Sequence, residues 1–526
     1  PSNTSRSPPS PYNERKFHSI IMRFATSIVF ALCTASTHAR PNEQKTCVIN
    51  SSGTNETDDA PAIRAAFKEC GQHGKVVFKP TTYFVNSVLN INGLEDVDID
   101  VQGELLWSTD IQYWLNASLP VGYQNQSTAF RLGGNNVRIN GHGVGTFNGN
   151  GDYWYEWIRE QPNTSNYPGR PHQITFDGLT NSVVKGLNFL RSQMWTMSII
   201  RSHDSIWEDI FVNNTGNRVS SSNTDGADTF FSSNLLFRNW TVYNGDDSFS
   251  CKANSTNITL LDSHFYHGLG IAIGSIGQYN DQFEIIENIR AENVYFEDTL
   301  HAFYVKTWTD DQNGYPPNGG GGGLGFASNM VMKNLTSKGM RGGAFTISQC
   351  TRFIGAPGQG NCTNSQFQVR NVAIDGLKGT TKDRRVVSLQ CSSVAPCTNI
   401  TLSNIDIKYA NGTTVPNYLC GNVVGNKGWE CTGPIIDLGF SNARVLAMAV
   451  SDRPSRIGTE THNNNRPPKN DEHWSITATN IYTTKQNLEI VIDDRLEQKC
   501  RQVCNYVSHV LPSESDSRST TGTSPV

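Results

Sequence analysis

The sequence predicts an all-β fold, specifically a right-handed parallel β-helix closed at its N-terminal end by a capping helix. Three observations predict it: a short apolar module that recurs along the chain, a composition typical of strands joined by tight turns, and a helical pattern just before the repeats. Glycine contributes 46 of the 526 residues, and aromatic residues contribute 10%. Both values favour strands and turns over long helices.

Residues 22–39 carry the pattern of a secretory signal peptide. Met22-Arg23 supplies a charged start, a short apolar run follows, and Thr37-His38-Ala39 supplies a small-residue exit. The apolar run is shorter than the ~20 residues that span a bilayer. We therefore expect an extracellular protein with no membrane anchor. Residues 1–21 are interpreted as an upstream extension without ordered structure.

A capping helix is predicted from residue 58 onward. The run Asp-Asp-Ala-Pro at 58–61 combines N-cap residues with a proline in the first turn, and apolar residues follow at helical spacing as far as Cys70. The end of a solenoid must be covered. We expect this helix to cover the first coil.

The repeated module consists of a turn residue, commonly asparagine, then alternating apolar residues, then Asn, Asp or Gly. Its instances begin at Asn136, Ser182, Ser205, Asn234, Asn257, Asn288, Asn329, Phe367 and Asn399. Successive instances lie 23 to 46 residues apart, which suits a coil of three short strands with loops of variable length. A β-sandwich is the alternative, but its strands pair through tight hairpin turns, and Asn-Gly between two alternating runs is scarce here. The predicted β-helix domain covers residues 40–433.

Beyond residue 433 the module disappears. Residues 453–472 are polar and rich in Asn, Pro and Arg, and residues 513–526 are rich in Ser, Thr and Pro. Such compositions do not bury a core. Residues 434–526 are therefore predicted to form a poorly structured tail.

Cysteine spacing indicates an oxidising compartment. Twelve cysteines occur, and one of them, Cys33, lies in the signal peptide, so an odd number remains. Close pairs predicted to be disulfides are Cys47/Cys70, Cys350/Cys362, Cys391/Cys397 and Cys420/Cys431. Cys251, isolated in a strand-like run, is the candidate free thiol. No C-x-x-C pairs with matching partners occur, so we expect no metal and no other cofactor.

N-glycosylation sequons are also dense in the predicted domain, which fits a secreted surface. They lie at Asn50, Asn55, Asn116, Asn125, Asn163, Asn213, Asn239, Asn254, Asn257, Asn334, Asn361, Asn399 and Asn411.

The formal charge of −4 and the lack of a Lys/Arg run argue against a nucleic-acid partner. The net charge does not exclude an acidic polysaccharide, because binding depends on the local field of a cleft. We expect a monomer.

Two acidic runs lie one coil apart, Asn-Thr-Asp-Gly at 223–226 and Gly-Asp-Asp-Ser at 245–248. Residues one coil apart in a parallel β-helix stack at about 4.8 Å, so Asp225 is predicted to lie beside Asp246 and Asp247. Carboxylates this close raise the pKa of at least one of them, which then holds a proton near neutral pH. Acid–base cleavage of a glycosidic bond requires that arrangement.

Two alternatives remain for these runs. Asp-Gly and Gly-Asp-Asp are ordinary turn sequences, although two of them at one-coil spacing are harder to explain as turns alone. The cluster could also bind calcium, as in pectate lyases. A lyase would need a basic group to abstract a proton, and neither run contains an arginine.

These runs, followed by Gly-Ser-Ile-Gly at 274–277 and a strand that carries Lys306, resemble the polygalacturonase family, glycoside hydrolase family 28. The resemblance covers about residues 43–433. It is closest to fungal exo-polygalacturonases, also called galacturan 1,4-alpha-galacturonidases, because Gly-Gln-Tyr at 277–279 is similar to a loop that helps close their cleft into a pocket. It implies a pectin lyase-like β-helix, inversion by single displacement without a metal, and a pectic polysaccharide or oligosaccharide substrate.

Residue by residue, the resemblance implies that Asp246 is the general acid and that Asp225 with Asp247 activates the attacking water. Asn223 would orient them, and Lys306 would bind a substrate carboxylate. Inverting enzymes separate their carboxyl groups by ~6.5–9.5 Å to leave room for the water, and we expect the same spacing here.

Two positions depart from the family pattern. Leu269 replaces the family histidine, and His267 stands two residues earlier, about 6.5–7 Å away along a strand. Either a β-bulge returns His267 to the site, or His267 is a rim or structural residue. Tyr304 replaces the arginine that accompanies Lys306 in the family, and it lacks the planar fork that binds carboxylates. Tyr304 and His267 are both candidate substrate-binding residues.

Two further features near the site have alternative interpretations. Tyr304, Trp308 and Tyr315 could form a stacking surface for sugar rings or could pack internally. The glycine run at 319–323 superficially resembles a phosphate loop, but it lacks the Lys-Ser/Thr and the following helix, so it is interpreted as a wide turn over the cleft.

Three functions follow. The first is a secreted exo-polygalacturonase that releases terminal galacturonate from pectin. The second, suggested by Leu269 and Tyr304, is a rhamnogalacturonan hydrolase or an α-L-rhamnosidase. The third is a non-catalytic β-helix that binds pectin, and the retention of all three aspartates argues against it.

Overall fold

A computed structural model of the chain describes residues 44–162, 166–280, 282–311, 320–351 and 363–435. These residues form a right-handed parallel β-helix, which confirms the predicted fold. The described helices are α1 (Ala60–Cys70), α2 (Ile111–Ala117) and α3 (Gly151–Arg159). The described strands are β1 (Lys45–Ile49), β2 (Gly74–Phe78), β3 (Thr82–Val85), β4 (Leu89–Val101), β5 (Glu104–Trp107), β6 (Leu119–Pro120), β7 (Ser127–Thr128), β8 (Phe130–Asn140), β9 (Thr146–Asn148), β10 (Pro171–His172), β11 (Ile174–Thr180), β12 (Val183–Lys185), β13 (Asn188–Leu190), β14 (Met197–Ile200), β15 (His203–Asn213), β16 (Ala227–Phe230), β17 (Ser233–Tyr243), β18 (Asp247–Cys251), β19 (Ser255–Tyr266), β20 (Gly270–Ile276), β21 (Phe283–Glu297), β22 (Phe303–Trp308), β23 (Leu324–Met340), β24 (Phe345–Thr351), β25 (Gln368–Thr381), β26 (Arg385–Gln390), β27 (Cys397–Lys408), β28 (Asn417–Gly421) and β29 (Val423–Val424).

From β14 onward, each coil combines one short strand with one long strand. The short strands β14, β16, β18, β20, β22, β24, β26 and β28 stack in parallel, each paired with the short strand of the next coil. We call this stack the short-strand sheet. The long strands from β15 to β27 stack in the same way and turn corners at asparagines with positive φ. Equivalent residues of successive coils are therefore neighbours.

The interior is filled by columns of side chains that stay in register from coil to coil. One column contains Ile199, Thr229, Cys251, Ile273 and Val305, and all five are fully buried. Cys251 is the free thiol that the sequence predicted. Burial raises the pKa of Cys251 to about 12, so the group remains an unreactive thiol near neutral pH.

The repeated asparagines form a ladder along one corner of the solenoid. Each has a φ of 54–58°, the left-handed region that asparagine tolerates better than most residues. From Asn257 onward, the Nδ2 of each donates to the Oδ1 of the asparagine one coil earlier at 2.9–3.2 Å, and Asn234 Nδ2 donates to Asp204 Oδ1 at 2.8 Å. The ladder consists of Asn234, Asn257, Asn288, Asn329, Asn371 and Asn399. An amide suits this position because it both donates and accepts.

α1 covers the first coil, as predicted. Ile63 and Cys70 face inward and are buried, and the Cys47–Cys70 disulfide ties the helix to β1. The cap differs in detail, because the Asp59 carboxylate accepts hydrogen bonds from backbone N–H groups outside the helix.

The Cys391–Cys397 and Cys420–Cys431 disulfides are present as predicted. Cys350 is disulfide-bonded. Predictions that lie outside the described residues concern Cys362, Tyr315, Gly319, residues 1–21, the signal peptide at 22–39 and nearly all of the tail at 434–526. In the described part of the chain, every helix is too short or too polar to cross a membrane.

Candidate active site

The three predicted aspartates lie together at the N-terminal edge of the short-strand sheet. Asp225 stands two residues before β16, and Asp246 and Asp247 stand at the start of β18. One oxygen of each carboxylate lies within 4.8 Å of the other two. All three side chains are buried, with exposures of 2%, 4% and 1%. The neighbourhood predicted from the coil spacing is therefore present.

The expected separation of ~6.5–9.5 Å between carboxyl groups stays a prediction, and one oxygen of each carboxylate approaches the others within 4.8 Å. This close approach has its cause in the fold itself. Neighbouring strands of a sheet are spaced at about 4.8 Å, and Asp225 lies one coil from Asp246 and Asp247. Spacing alone therefore does not identify the stereochemical outcome here.

Burial and mutual repulsion disfavour the charged form of these carboxylates. The pKa of Asp225 is raised well above its usual value, first by burial and then by the negative charges of Asp246, Asp228 and Asp247. Burial also raises the pKa of Asp247 and outweighs the opposing effect of Lys306. The cluster therefore holds a proton at higher pH than an isolated aspartate does.

Asn223 and Lys306 both contact the cluster. Asn223 Nδ2 donates to Asp246 Oδ2 at 3.3 Å. Lys306 Nζ donates to Asp247 Oδ2 at 3.0 Å and lies 3.4 Å from Oδ1. Gly274 lies one coil before Lys306 and in register with it. A Cβ on Gly274 would lie 2.3 Å from Lys306 O. Gly274 also has a φ of +95°, so glycine is required where this coil packs against the backbone of Lys306.

Leu269 occupies the position beside the proposed acid. Its N–H donates to Asp246 O at 2.7 Å, and its side chain is half-buried. His267 is exposed instead, with Nδ1 3.4 Å from Asp298 Oδ2. The register irregularity in this region falls within β18 rather than at His267, so no bulge returns the imidazole to the aspartates. His267 lies on the rim, and a role in substrate binding stays a prediction.

The sugar-stacking surface considered for the aromatic residues is not exposed. Tyr304 is 0% exposed and Trp308 is 2% exposed. The Tyr304 ring lies 5.0 Å from Lys306 Nζ and 4.8 Å from the His301 ring. Both aromatic side chains are therefore covered by other residues, and the Tyr304 ring flanks Lys306.

A sequence profile described as "Glycosyl hydrolases family 28" matches residues 89–428. The chain belongs to this family. Family membership confirms the resemblance found in the sequence and makes the protein a glycoside hydrolase.

The relatives of this family 28 chain differ in the sugars that their names specify. The chain is 53% identical over 413 residues to alpha-L-rhamnosidase rgxB of Aspergillus niger, which covers 78% of this chain and 95% of that relative. It is 32% identical over 400 residues to an exopolygalacturonase of Cochliobolus carbonum, which covers 73% and 85%. Its fold is similar to that of endo-xylogalacturonan hydrolase from Aspergillus tubingensis, with a TM-score of 0.62, 23% identity, and coverage of 74% and 99%.

The structure adds a buried ion pair to the family 28 site that the sequence analysis missed. Lys252 Nζ lies 3.2 Å from Asp228 Oδ1, with side-chain exposures of 3% and 0%. Burial raises the pKa of Asp228 to about 7, although Lys252 opposes the shift. Lys252 Nζ also donates to Gly274 O at 3.0 Å and lies 4.9 Å from the Trp195 ring. Asp228 follows Asp225 by three residues, and that spacing was the available signal.

A second missed residue supports the turn that carries Asn223 and Asp225. Arg170 is 0% exposed, and its Nη2 donates to Ser222 O at 3.0 Å while its Nε donates to Gln193 O at 2.7 Å. Burial lowers the pKa of Arg170 to about 10, so the group remains charged at neutral pH. No sequence motif marks this arginine, because its contacts span 23 and 52 residues.

Two loops join over one end of the sheet face. Tyr123 Oη donates to Glu284 Oε1 at 2.8 Å, and Gln124 Nε2 donates to Gln278 Oε1 at 2.9 Å. The Tyr123 ring packs 5.0 Å from that of Phe230, in β16. This wall contains the Gly-Gln-Tyr loop that the sequence comparison singled out.

Three glycines of this run, at 321–323, have their N–H groups engaged by other loops. Gly321 N donates to Gln278 O at 2.8 Å, Gly322 N to Thr309 O at 2.9 Å, and Gly323 N to Gly277 O at 3.0 Å. These donors cannot cradle a phosphate, which agrees with the interpretation as a turn.

The aspartate cluster is poorly suited to a divalent cation. Calcium takes about six to eight oxygen ligands, whereas three carboxylates converge here. Lys306 also places an ammonium group 3.0 Å from Asp247. The arrangement suits proton transfer better than cation binding.

Proposed function

We propose that this family 28 hydrolase is a secreted exo-acting α-L-rhamnosidase that removes terminal rhamnose from pectic chains with inversion. The observation that carries the proposal is that, among the described residues, the cations near the aspartates are all committed to other partners, which leaves none for a uronate. Tyr304 stands in place of the family arginine, and Lys306 is paired with Asp247 at 3.0 Å. The relative named alpha-L-rhamnosidase, 53% identical to this chain, supports the same choice.

Charge considerations favour a neutral sugar at the site. The cations that the described residues place nearest the cluster all have partners: Lys306 has Asp247, Lys252 has Asp228, and Arg170 donates to backbone carbonyls. A uronate would bring a further negative charge beside buried carboxylates and would have to be desolvated, which is costly without a partner. Rhamnose is neutral and carries a methyl group in place of the carboxylate.

Leu269 supports this choice from the other side of the site. Leu269 is half-buried and its backbone N–H donates to Asp246 O at 2.7 Å, at the position where the family pattern has a histidine. A leucine cannot hydrogen-bond a polar sugar substituent, but it can pack against an apolar one. A deoxy sugar therefore fits this position better than a uronic acid.

In the proposed reaction, Asp246 donates a proton to the glycosidic oxygen as the bond from that oxygen to the anomeric carbon breaks. A water molecule attacks the anomeric carbon from the opposite face, and its proton passes to the carboxylate pair Asp225 and Asp247. Asp225 Oδ1 is buried and has no hydrogen-bond partner among the described residues, so it is available to accept that proton. The products are the shortened chain and free rhamnose of inverted configuration.

Release of terminal galacturonate is the second candidate. The relative named exopolygalacturonase supports it. The wall tied by Tyr123 and Glu284 at 2.8 Å suits release of a terminal unit, and it does so for either sugar chain. A pectin-binding protein without activity is disfavoured by the buried, proton-holding aspartate cluster.

Product analysis decides between these functions. Rhamnogalacturonan oligosaccharides with rhamnose ends and oligogalacturonides are incubated separately with the protein, and the products are identified by mass spectrometry and by NMR of the anomeric proton. Free rhamnose from the first substrate alone is expected. Galacturonate from the second substrate alone would replace the proposal with the second candidate.

Two variants serve as the matched pair for this assay. Asp246→Asn should abolish release from either substrate. Asp262→Asn changes an aspartate that accepts a hydrogen bond from Asn293 at 2.8 Å on the solenoid surface, and it should retain full activity. Wild-type rates for Asp246→Asn would refute the assigned chemistry.

A further inference from the structure

We propose that Asn244 is a positioning residue that holds the two turns of the active site, residues 223–225 and 245–247, at a fixed separation. The proposal rests on the function proposed above for Asp225, Asp246 and Asp247. Asn244 itself touches no reacting atom. It acts on the backbone that carries the aspartates.

One side-chain amide reaches both turns. Asn244 Nδ2 lies 3.1 Å from Thr224 O, 2.8 Å from Asp246 O and 2.8 Å from Asp247 O. The first carbonyl belongs to one coil and the other two belong to the next. Asn244 is 4% exposed, so water does not readily replace these bonds.

The other end of the amide is also held. Ser248 Oγ donates to Asn244 Oδ1 at 3.2 Å. A Cβ on Gly268 would lie 2.1 Å from that oxygen and 2.6 Å from Ser248 Oγ. Gly268 has no positive φ that would by itself require glycine. A Cβ there would also lie 2.7 Å from Asp246 O, so the amide, Ser248 Oγ and the Asp246 carbonyl together exclude a side chain at Gly268.

Other hydrogen bonds also hold the turn that contains Thr224. Gly245 N donates to Thr224 Oγ1 at 3.0 Å, and in the preceding coil Asn214 Nδ2 lies 3.4 Å from Thr224 O. Asn214 is 0% exposed and is anchored by Ser192 N, which donates to its Oδ1 at 2.8 Å. Asn214 reaches one of the two turns, whereas Asn244 reaches both.

The expected consequence is kinetic. The carbonyls held by Asn244 belong to Asp246, Asp247 and the residue before Asp225, so their release lets one coil shift against the other. A misplacement of about 1 Å can lower a rate about 100-fold. The pKa values of the carboxylates depend on their separation, so the pH profile should change as well.

The test compares Asn244→Ala and Gly268→Ala with Ser263→Ala. Gly268→Ala displaces the amide without removing it. Ser263 is an equally buried side chain whose Oγ donates to Leu261 O at 2.8 Å and accepts from Trp240 N at 3.2 Å, away from the aspartates. For each variant, kcat, KM, the pH dependence of kcat/KM and the thermal midpoint are measured on the substrate that the wild-type protein cleaves.

We expect Asn244→Ala and Gly268→Ala to lose kcat about 100-fold, with little change in KM and with displaced limbs of the pH profile. Ser263→Ala should lose some stability and keep both kcat and the pH profile. A folded Asn244→Ala variant with wild-type kcat, or with lowered kcat and an unmoved pH profile, would overturn the proposal.

If Asn244→Ala does not fold, Asn244→Asp takes its place, because it keeps the shape and removes the N–H donors. Failure of both variants to fold would overturn the positioning role in favour of a purely structural one. Asp246→Asn separates the two levels of inference. Wild-type activity in Asp246→Asn would refute the proposed function. Wild-type activity in Asn244→Ala, together with an inactive Asp246→Asn, would refute the positioning role alone.

Discussion

Replacing Lys306 with methionine tests whether its ammonium group keeps Asp247 available as a carboxylate. The two groups lie 3.0 Å apart, with exposures of 12% and 1%. At this distance and an effective dielectric constant of ~20, their attraction is about 5 kcal/mol. Breaking a buried pair by removing one partner typically costs about 3–5 kcal/mol. We expect Lys306→Met to lower the free energy of unfolding at pH 7 by an amount in that range.

The sign of the pH dependence follows from the cause of the pKa shift. Burial raises the pKa of Asp247 and Lys306 lowers it, so removal of Lys306 raises the pKa further. The folded variant then binds the Asp247 proton more tightly than the unfolded chain does. Its stability is recovered as the pH falls and is lost as the pH rises through the folded-state pKa. The deficit should therefore be larger at pH 7 than at pH 4, and the acidic limb of the activity profile should move to higher pH.

Urea unfolding followed by tryptophan fluorescence at both pH values measures this deficit. Lys338→Met is the matched control, because Lys338 Nζ lies 2.7 Å from Glu297 Oε1 with exposures of 67% and 32%. An exposed pair of this kind contributes less than about 1 kcal/mol. The reasoning is refuted if Lys306→Met loses no more stability than Lys338→Met, or if its deficit is the same at both pH values.

Three further predictions follow from the site. Asp225→Asn should abolish activity and should raise the thermal midpoint at pH 7 but not at pH 3. The pKa of Asp225 is raised, so its carboxylate destabilises the fold only once it ionises. Equal midpoints of the wild-type and variant proteins at pH 7 would contradict this. Tyr304→Arg should raise kcat/KM on galacturonate-ended oligomers relative to rhamnose-ended ones, measured by product release, and an unchanged ratio would remove Tyr304 from specificity. Tyr123→Phe removes the hydrogen bond to Glu284 and should allow internal cleavage products to appear in the mass spectrum, whereas terminal products alone would show that the wall does not depend on this bond.

The fold and the aspartate cluster could be predicted because both follow from the coil repeat. Each asparagine of the ladder from Asn234 to Asn399 marks a left-handed corner, and the spacing of the corners sets the coil length. Once that length is known, Asp225 must lie beside Asp246. The expected distance between their carboxyl groups was taken from inverting glycosidases in general, whereas the pitch of this solenoid is what brings their oxygens within 4.8 Å.

The supporting residues could not be predicted because their contacts join distant parts of the chain. Lys306 and Asp247 are 59 residues apart, and Arg170 and Ser222 are 52 residues apart. Asn244 resembles any turn asparagine in the sequence, and its function becomes visible when three carbonyls converge on its amide. Local patterns do not contain such information.

The close spacing of the carboxylates also explains why catalysis and substrate choice can change separately in this site. Carboxyl groups within 4.8 Å of one another cannot all ionise without a fixed positive charge, so Lys306 is tied to the reaction through Asp247. The position occupied by Tyr304 differs, because this side chain is uncharged and its ring flanks Lys306 at 5.0 Å. An arginine there would add affinity for a carboxylate on the substrate and would leave the protonation states of the three aspartates largely unchanged. Substrate identity can therefore shift between a uronic acid and a deoxy sugar while Asp225, Asp246 and Asp247 stay in place.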